Sequence, residues 1–151
     1  MRRFFVSAVA CASLMAALSF GTPAHADILI AVNKSAQSMS VIVDGRERHR
    51  WPVSTGLDGG PPSGAYQPER MERMWHSRKY NWSPMPHAIF FHYGYAIHGT
   101  GYVSRLGRPA SHGCVRLHPS HAAQLFALVR SEGMGRTRIV VSHSARFAER
   151  R

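Results

Sequence analysis

The sequence predicts a compact, mainly β domain with one docked helix, and three observations carry that prediction. From Ser38 to Asp44, Met39, Val41 and Val43 alternate with Ser38, Ser40, Ile42 and Asp44, a period of two that sends one face of a strand into a core. Asp44-Gly45 follows at once, and both residues tolerate φ > 0, as a two-residue hairpin requires. One clear amphipathic helix stands out: Ala122, Ala123, Leu125, Phe126, Leu128 and Val129 recur at helical spacing.

Taken in order, Ile28 to Val32 is a short apolar run suited to a buried strand. The Met39–Val43 strand comes next, and Arg46 to Val53 is its hairpin partner. Ser54-Thr55-Gly56 and the run Leu57 to Gly64 form a long, turn-rich connection, surface filler unless it lies near a site. Residues 65–87 resist assignment. Met71, Met74 and Trp75 fit a helical face, yet Pro68 and Pro84 break the stretch. It reads as strand and loop exposing Trp75, Tyr80 and Trp82, a lid over a groove. Ala88 to Phe91 and Tyr95 to His98 form a hairpin turning at Tyr93-Gly94. The helix opens near Pro119-Ser120 and stops at Gly133. Thr137 to Ser142 closes the fold, and His143 to Arg151 is a basic, frayed tail. Residues 27–142 thus make one domain, with a chain after residue 26 of 125 residues, long enough for a core without disulfides.

Residues 1–26 read as a secretory signal. Arg2 and Arg3 precede an apolar run from Phe4 to Phe20, and Ala24-His25-Ala26 supplies the small residues of a cleavage site. The run is broken by Ser7, Ser13 and Ser19 and sits at the bottom of the roughly 17–25 residues that span a bilayer. The expected location is the periplasm or cell envelope. Cys11 leaves with the signal, so Cys114 is the single remaining cysteine and no intramolecular disulfide can form. An unpaired thiol in an oxidising compartment is damaged unless buried or in use. The bland alternative is an inert buried cysteine.

Without the leader, 17 Lys plus Arg face 8 Asp plus Glu, a net +9 carried almost entirely by Arg. Inside a cell that balance points to nucleic acid. Outside it, the expected partners are envelope polyanions or carboxylate-rich substrates rather than nucleic acid, or the charge merely keeps the surface solvated.

The chemistry concentrates in Ile97-His98-Gly99-Thr100 and Ser111-His112-Gly113-Cys114-Val115-Arg116-Leu117. A thiol is a nucleophile as its thiolate, and a nearby imidazole lowers its pKa. His98 ends a predicted strand, where its ring has little freedom, and Gly99 leaves room for a carbonyl to fix its tautomer. His112, Cys114 and Arg116 are two apart, so an extended segment puts them on one face. Gly113 lets backbone N–H groups approach a developing oxyanion, and Arg116 can clamp a carboxylate bidentately. Gly99, Ser111 and Gly113 are thus the backbone candidates, and Arg116 and Tyr102 the substrate-binding ones. The sharper rival is a zinc site of His98, His112 and Cys114, although no second cysteine or nearby carboxylate supplies the usual spacing. No metal is expected.

His98-Gly-Thr, followed by Ser111-His-Gly-Cys-Val-Arg-Leu, resembles the signature of the L,D-transpeptidase (YkuD-type) catalytic domain. Pro52-Val53-Ser54-Thr55-Gly56, Pro62-Ser63-Gly64-Ala65-Tyr66 and Met85-Pro86 resemble further motifs of that family, so the likeness runs across almost the whole mature chain. Papain-like peptidases place Cys before His; here His comes first. The resemblance implies a β-sandwich of mixed sheets with one capping α-helix. It implies Cys114 as nucleophile, His98 as base held by a backbone carbonyl, and Ser111, His112 and Gly113 as the oxyanion loop. It also implies attack at the L-centre of the third stem-peptide residue of peptidoglycan, loss of the terminal D-alanine and a thioester resolved by an amine. That amine would belong to another stem peptide or an envelope protein. No cofactor, inhibition by carbapenems and a monomer are expected. Ser63 stands where many relatives have Thr, and His87 where an aromatic is usual. A hydrolase on the same scaffold and a non-catalytic basic wall-binding module remain the alternatives.

Overall fold

A computed structural model describes residues 27–144. Residues 1–26, where a signal segment is expected, and residues 145–151 of the expected tail lie outside the described residues. The strands are β1 (Ile28–Asn33), β2 (Ser38–Val43), β3 (Arg46–Pro52), β4 (Gly64–Tyr66), β5 (Arg70–Ser77), β6 (Ser83–His92), β7 (Tyr95–Gly99), β8 (Val115–Leu117) and β9 (Thr137–Ser142), with α1 (Pro119–Glu132) between the last two. They form two sheets, ordered β3-β2-β1-β9-β4 and β5-β6-β7-β8. Both sheets are mixed, because β1 pairs with β9, and β7 with β8, in parallel.

The alternation in the sequence becomes a sandwich core. Ile30, Val32, Met39, Val41, Ile139 and Val141 of the first sheet join Ile89, Phe91, Ile97, Val115 and Leu117 of the second in one buried cluster. The helix adds Ala122, Leu125, Phe126 and Val129 to it and packs on β6 and β7. Full burial of a side chain such as Leu125 means truncation to alanine would cost about 2–5 kcal/mol. Asp44 and Gly45 both take positive φ, 49° and 75°, and close the β2–β3 hairpin as expected. The helix starts on Pro119, capped by the His118 ring, which accepts a hydrogen bond from the Ser120 N–H at 3.2 Å. Gly133 ends it with φ 104°.

Residues 65–87 are more regular than the sequence indicates. β4 pairs with β9, and β5 pairs with β6 along its whole length. Pro84 and Pro86 lie inside β6, which starts five residues earlier than expected. The prolines are tolerated because β6 meets β7 only from Ile89 onward, so their missing N–H groups remove no bond to β7. The stretch is a two-stranded arm that turns through Arg78–Tyr80 and two left-handed residues, Asn81 and Trp82.

Candidate active site

The parallel pair β7–β8 builds the site. Its register sets Ile97 opposite Val115, His98 opposite Arg116 and Gly99 opposite Leu117. Ile97 and Val115 point into the core, both essentially inaccessible, so the alternate residues face the other side of the sheet. Ala96, His98 and Arg116 share that face. Cys114, two residues before Arg116, joins it and packs with Met85, Ala88, Phe90 and Ala96.

His98 is buried, and its Nδ1 lies 2.7 Å from the carbonyl oxygen of Gly99. A carbonyl only accepts, so Nδ1 carries the proton and Nε2 is left with its lone pair. Burial pulls the His98 pKa from 6.5 to about 4, against the Gly99 bond and with help from the Arg116 charge. The ring is therefore neutral at pH 7. Burial also pushes the Cys114 thiol up, opposed by a backbone hydrogen bond from Ala96 and by Arg116. Its Sγ lies 4.0 Å from the carbonyl oxygen of Gly94. The expected lowering of the thiol pKa by imidazole is thus reversed at rest, because desolvation outweighs the neighbouring groups. The resting pair is a thiol and a neutral ring.

Ser111 organises the loop before Cys114. Its Oγ donates to the Cys114 carbonyl at 2.6 Å and accepts from the Gly113 N–H at 3.0 Å. That N–H, which the sequence aims at an oxyanion, is engaged by Ser111 in this state. Gly113 has φ 132°, and a Cβ there would fall 2.6 Å from the Tyr95 ring, so only glycine fits. The extended segment that would put His112 and Cys114 on one face is not formed, because the chain bends through 112–114 and β8 begins only at Val115. The His112 ring is exposed and stacks on Tyr80 at 4.4 Å, bringing the arm's tip onto the loop.

Arg116 is half-buried and donates one guanidinium N–H to Ala110 O at 3.2 Å, leaving the rest of its fork for a ligand. Tyr102 is 63% exposed and lies between Arg116, 5.9 Å from its ring centre, and Arg105 at 5.6 Å. Gly99 supplies the His98 acceptor, and a Cβ on it would press on Pro86 at 3.1 Å. Of the proposed lid aromatics, Trp75 is half-buried edge-on to Phe90, whereas Trp82 is 63% exposed. Among the described residues no three of His, Cys, Asp or Glu converge as metal ligands, so the zinc alternative lacks its cage.

The turn-rich connection after β3, surface filler unless it lies near a site, is a wall of the site. A Cβ on Gly56 or Gly60 would lie 2.9 Å or 3.1 Å from the Gly113 Cα. Backbone stacks on backbone there. The glycine density of residues 56–60 was the available signal, without a way to know what it touched.

The profile of the L,D-transpeptidase catalytic domain (YkuD) matches residues 27–141. The chain belongs to that family. Among solved structures, an L,D-transpeptidase from Mycobacterium smegmatis is 25% identical, with TM-score 0.68, covering 78% of this chain and 59% of its own. One from Stackebrandtia nassauensis is 25% identical, with TM-score 0.67, covering 85% and 61%. L,D-transpeptidase 3 from Mycobacterium tuberculosis, in complex with a faropenem-derived adduct, is 20% identical, with TM-score 0.64, covering 78% and 60%. This chain thus spans about three-fifths of the length of these relatives. No curated protein matches it at a significant level. As an L,D-transpeptidase domain, it presents a thiol, a neutral imidazole with one ring nitrogen fixed, and a cation on one sheet face. That set suits acyl transfer through a base-assisted thiol.

Proposed function

We propose that this domain is an exported L,D-transpeptidase acting on peptidoglycan stem peptides through a Cys114 thioester. The observation that carries the reading is the β7–β8 register, which sets His98 opposite Arg116, with Cys114 two residues before Arg116 packed against the cluster that holds Ala96 and the His98 tautomer fixed by Gly99. Because both groups are neutral at rest, the thiol is activated as it reacts. His98 Nε2 takes the Sγ proton while sulfur attacks the carbonyl carbon at the L-centre of stem residue 3. The oxyanion collapses to the thioester, and the departing D-alanine amine takes the proton from His98. An incoming amine then attacks the thioester, gives its proton to His98 and restores the thiol. The Gly99 carbonyl stabilises the transient imidazolium in a buried setting. Arg116, beside Tyr102, is the group suited to a stem-peptide carboxylate. The acceptor is a second stem peptide or an envelope protein, and the basic surface draws the domain to the anionic wall. The faropenem-derived adduct on a structural relative supports β-lactam acylation here as well.

A tetrapeptide-stem muropeptide incubated with the purified protein should yield a cross-linked dimer that has lost one terminal D-alanine. Cys114→Ala should yield none. Tripeptide alone, even with excess acceptor, would make the protein a hydrolase. No turnover of any kind would leave the wall-binding module.

A further inference from the structure

Residues far from the thiol in sequence hold its loop. The turn between β1 and β2 carries Gln37 and Lys34, only 5% and 8% exposed. Every polar group of the Gln37 amide is engaged. Nε2 donates to Thr55 Oγ1 at 2.7 Å and to Lys34 O at 2.6 Å, and Oε1 accepts from the Thr55 N–H at 2.9 Å. Thr55, itself buried, presents its carbonyl to the N–H groups of both Ala110 and Ser111, at 2.9 and 3.0 Å. Ser111 then holds Gly113 and Cys114 through its hydroxyl. On the other flank, Lys34 Nζ donates to Gly59 O at 2.8 Å and Pro61 O at 3.0 Å. Those bonds fix the glycine wall that rests on Gly113.

We propose that Gln37 and Lys34 are positioning residues for acylation, clamping the Cys114 loop from both flanks through Thr55 and the 59–61 backbone. The inference rests on the acyl-transfer reading above. Two features argue against a purely structural role. A buried lysine whose hydrogen-bond partners are backbone carbonyls is an unfavourable way to stabilise a fold, because apolar side chains do that better. Gln37 also adopts φ 46°, a left-handed conformation uncommon for glutamine and kept where the surroundings demand it. Acylation needs sulfur and oxyanion donors in register, and displacement by about 1 Å can reduce a rate by roughly a hundredfold. Alkylation by a small reagent has no such demand.

The test compares the two reactions on the same thiol. Gln37→Leu keeps the volume and removes the amide bonds; Lys34→Met keeps the stem and removes the carbonyl clamps. The rate of imipenem acylation, followed by intact mass, should fall about 10–100-fold in Gln37→Leu and by a smaller factor in Lys34→Met. Iodoacetamide alkylation of Cys114 should keep its rate within about twofold and its pH midpoint unchanged, because His98 and its Gly99 bond are untouched. Thr55→Ser, which retains the hydroxyl, should preserve most acylation, and Thr55→Val should not. Hydrogen exchange at the Ala110, Ser111 and Gly113 amides should accelerate in Gln37→Leu while α1 stays protected. Parallel loss of both reactions, or acylation equal to wild type in both variants, overturns the proposal. Wild-type protein that imipenem does not acylate would sink the acyl-transfer reading instead. Unchanged exchange at residues 110–113 in Gln37→Leu would then still overturn the clamp.

Discussion

The β7–β8 face and the β5–β6 arm meet over the same thiol and are built in opposite ways. The face is anchored by a parallel register and by a chain of buried hydrogen bonds from Gln37 through Thr55 to Ser111. The arm projects beyond β7, exposes Met74 and Trp82, and at its tip reaches the loop through a ring stack between Tyr80 and His112, while its Met85 belongs to the buried cluster that Cys114 packs against. Bond-making residues must hold their geometry to fractions of an ångström, so they sit on the rigid part. An element that admits a bulky stem and then excludes water has to open, which requires few buried contacts.

The largest effect belongs on the rigid side. His98→Ala should lower the acylation rate by about 10²–10⁴, the usual value of a positioned general base. A loss under tenfold in stopped-flow acylation would remove His98 from the mechanism. Gly113→Ala comes next, since its Cβ would collide with Tyr95; acylation should fall by about a hundredfold with the thiol still titratable. Activity close to wild type would show that the loop tolerates displacement.

The buried ring also predicts a pH dependence of stability. The folded pKa of His98, about 4, lies below its unfolded value of 6.5. Its contribution is therefore complete above pH 6.5 and is lost as pH falls towards 4, to a total of about 3 kcal/mol. Urea unfolding from pH 7 to pH 4 should show this slope, and His98→Asn should flatten it. Equal slopes would mean that other groups carry the acid sensitivity.

The arm should give the smallest effect on the first half-reaction and a visible one on the second. Tyr80→Ala should leave acylation within about threefold yet move the product towards hydrolysed tripeptide, because water then competes better for the thioester. If Tyr80→Ala slows acylation as much as His98→Ala does, the division between face and arm is wrong.

What the sequence reveals follows the same division. The hairpin at Asp44-Gly45, the helix bounded by Pro119 and Gly133, and the pairing of His98 with the Cys114 block are written in local patterns, and local patterns are legible. The arm is not, because Pro84 and Pro86 argue against a strand unless one knows that β7 ends before reaching them. Neither the glycine wall nor the Gln37–Thr55–Ser111 chain has a local signature, since each joins segments far apart in sequence. The resting charge state of the thiol is hidden for a similar reason. Proximity of His and Cys is visible, but the burial that decides the sign is a property of the folded sheet.

The central claim is that Cys114 and His98 rest as a neutral pair and exchange a proton only during attack. The pH dependence of Cys114 alkylation by iodoacetamide in the wild-type protein tests it most directly. A midpoint above the ordinary thiol value of about 8.5 is the result this account predicts. A midpoint below about 7, with full reactivity at neutral pH, would mean a preformed thiolate–imidazolium pair and would contradict it.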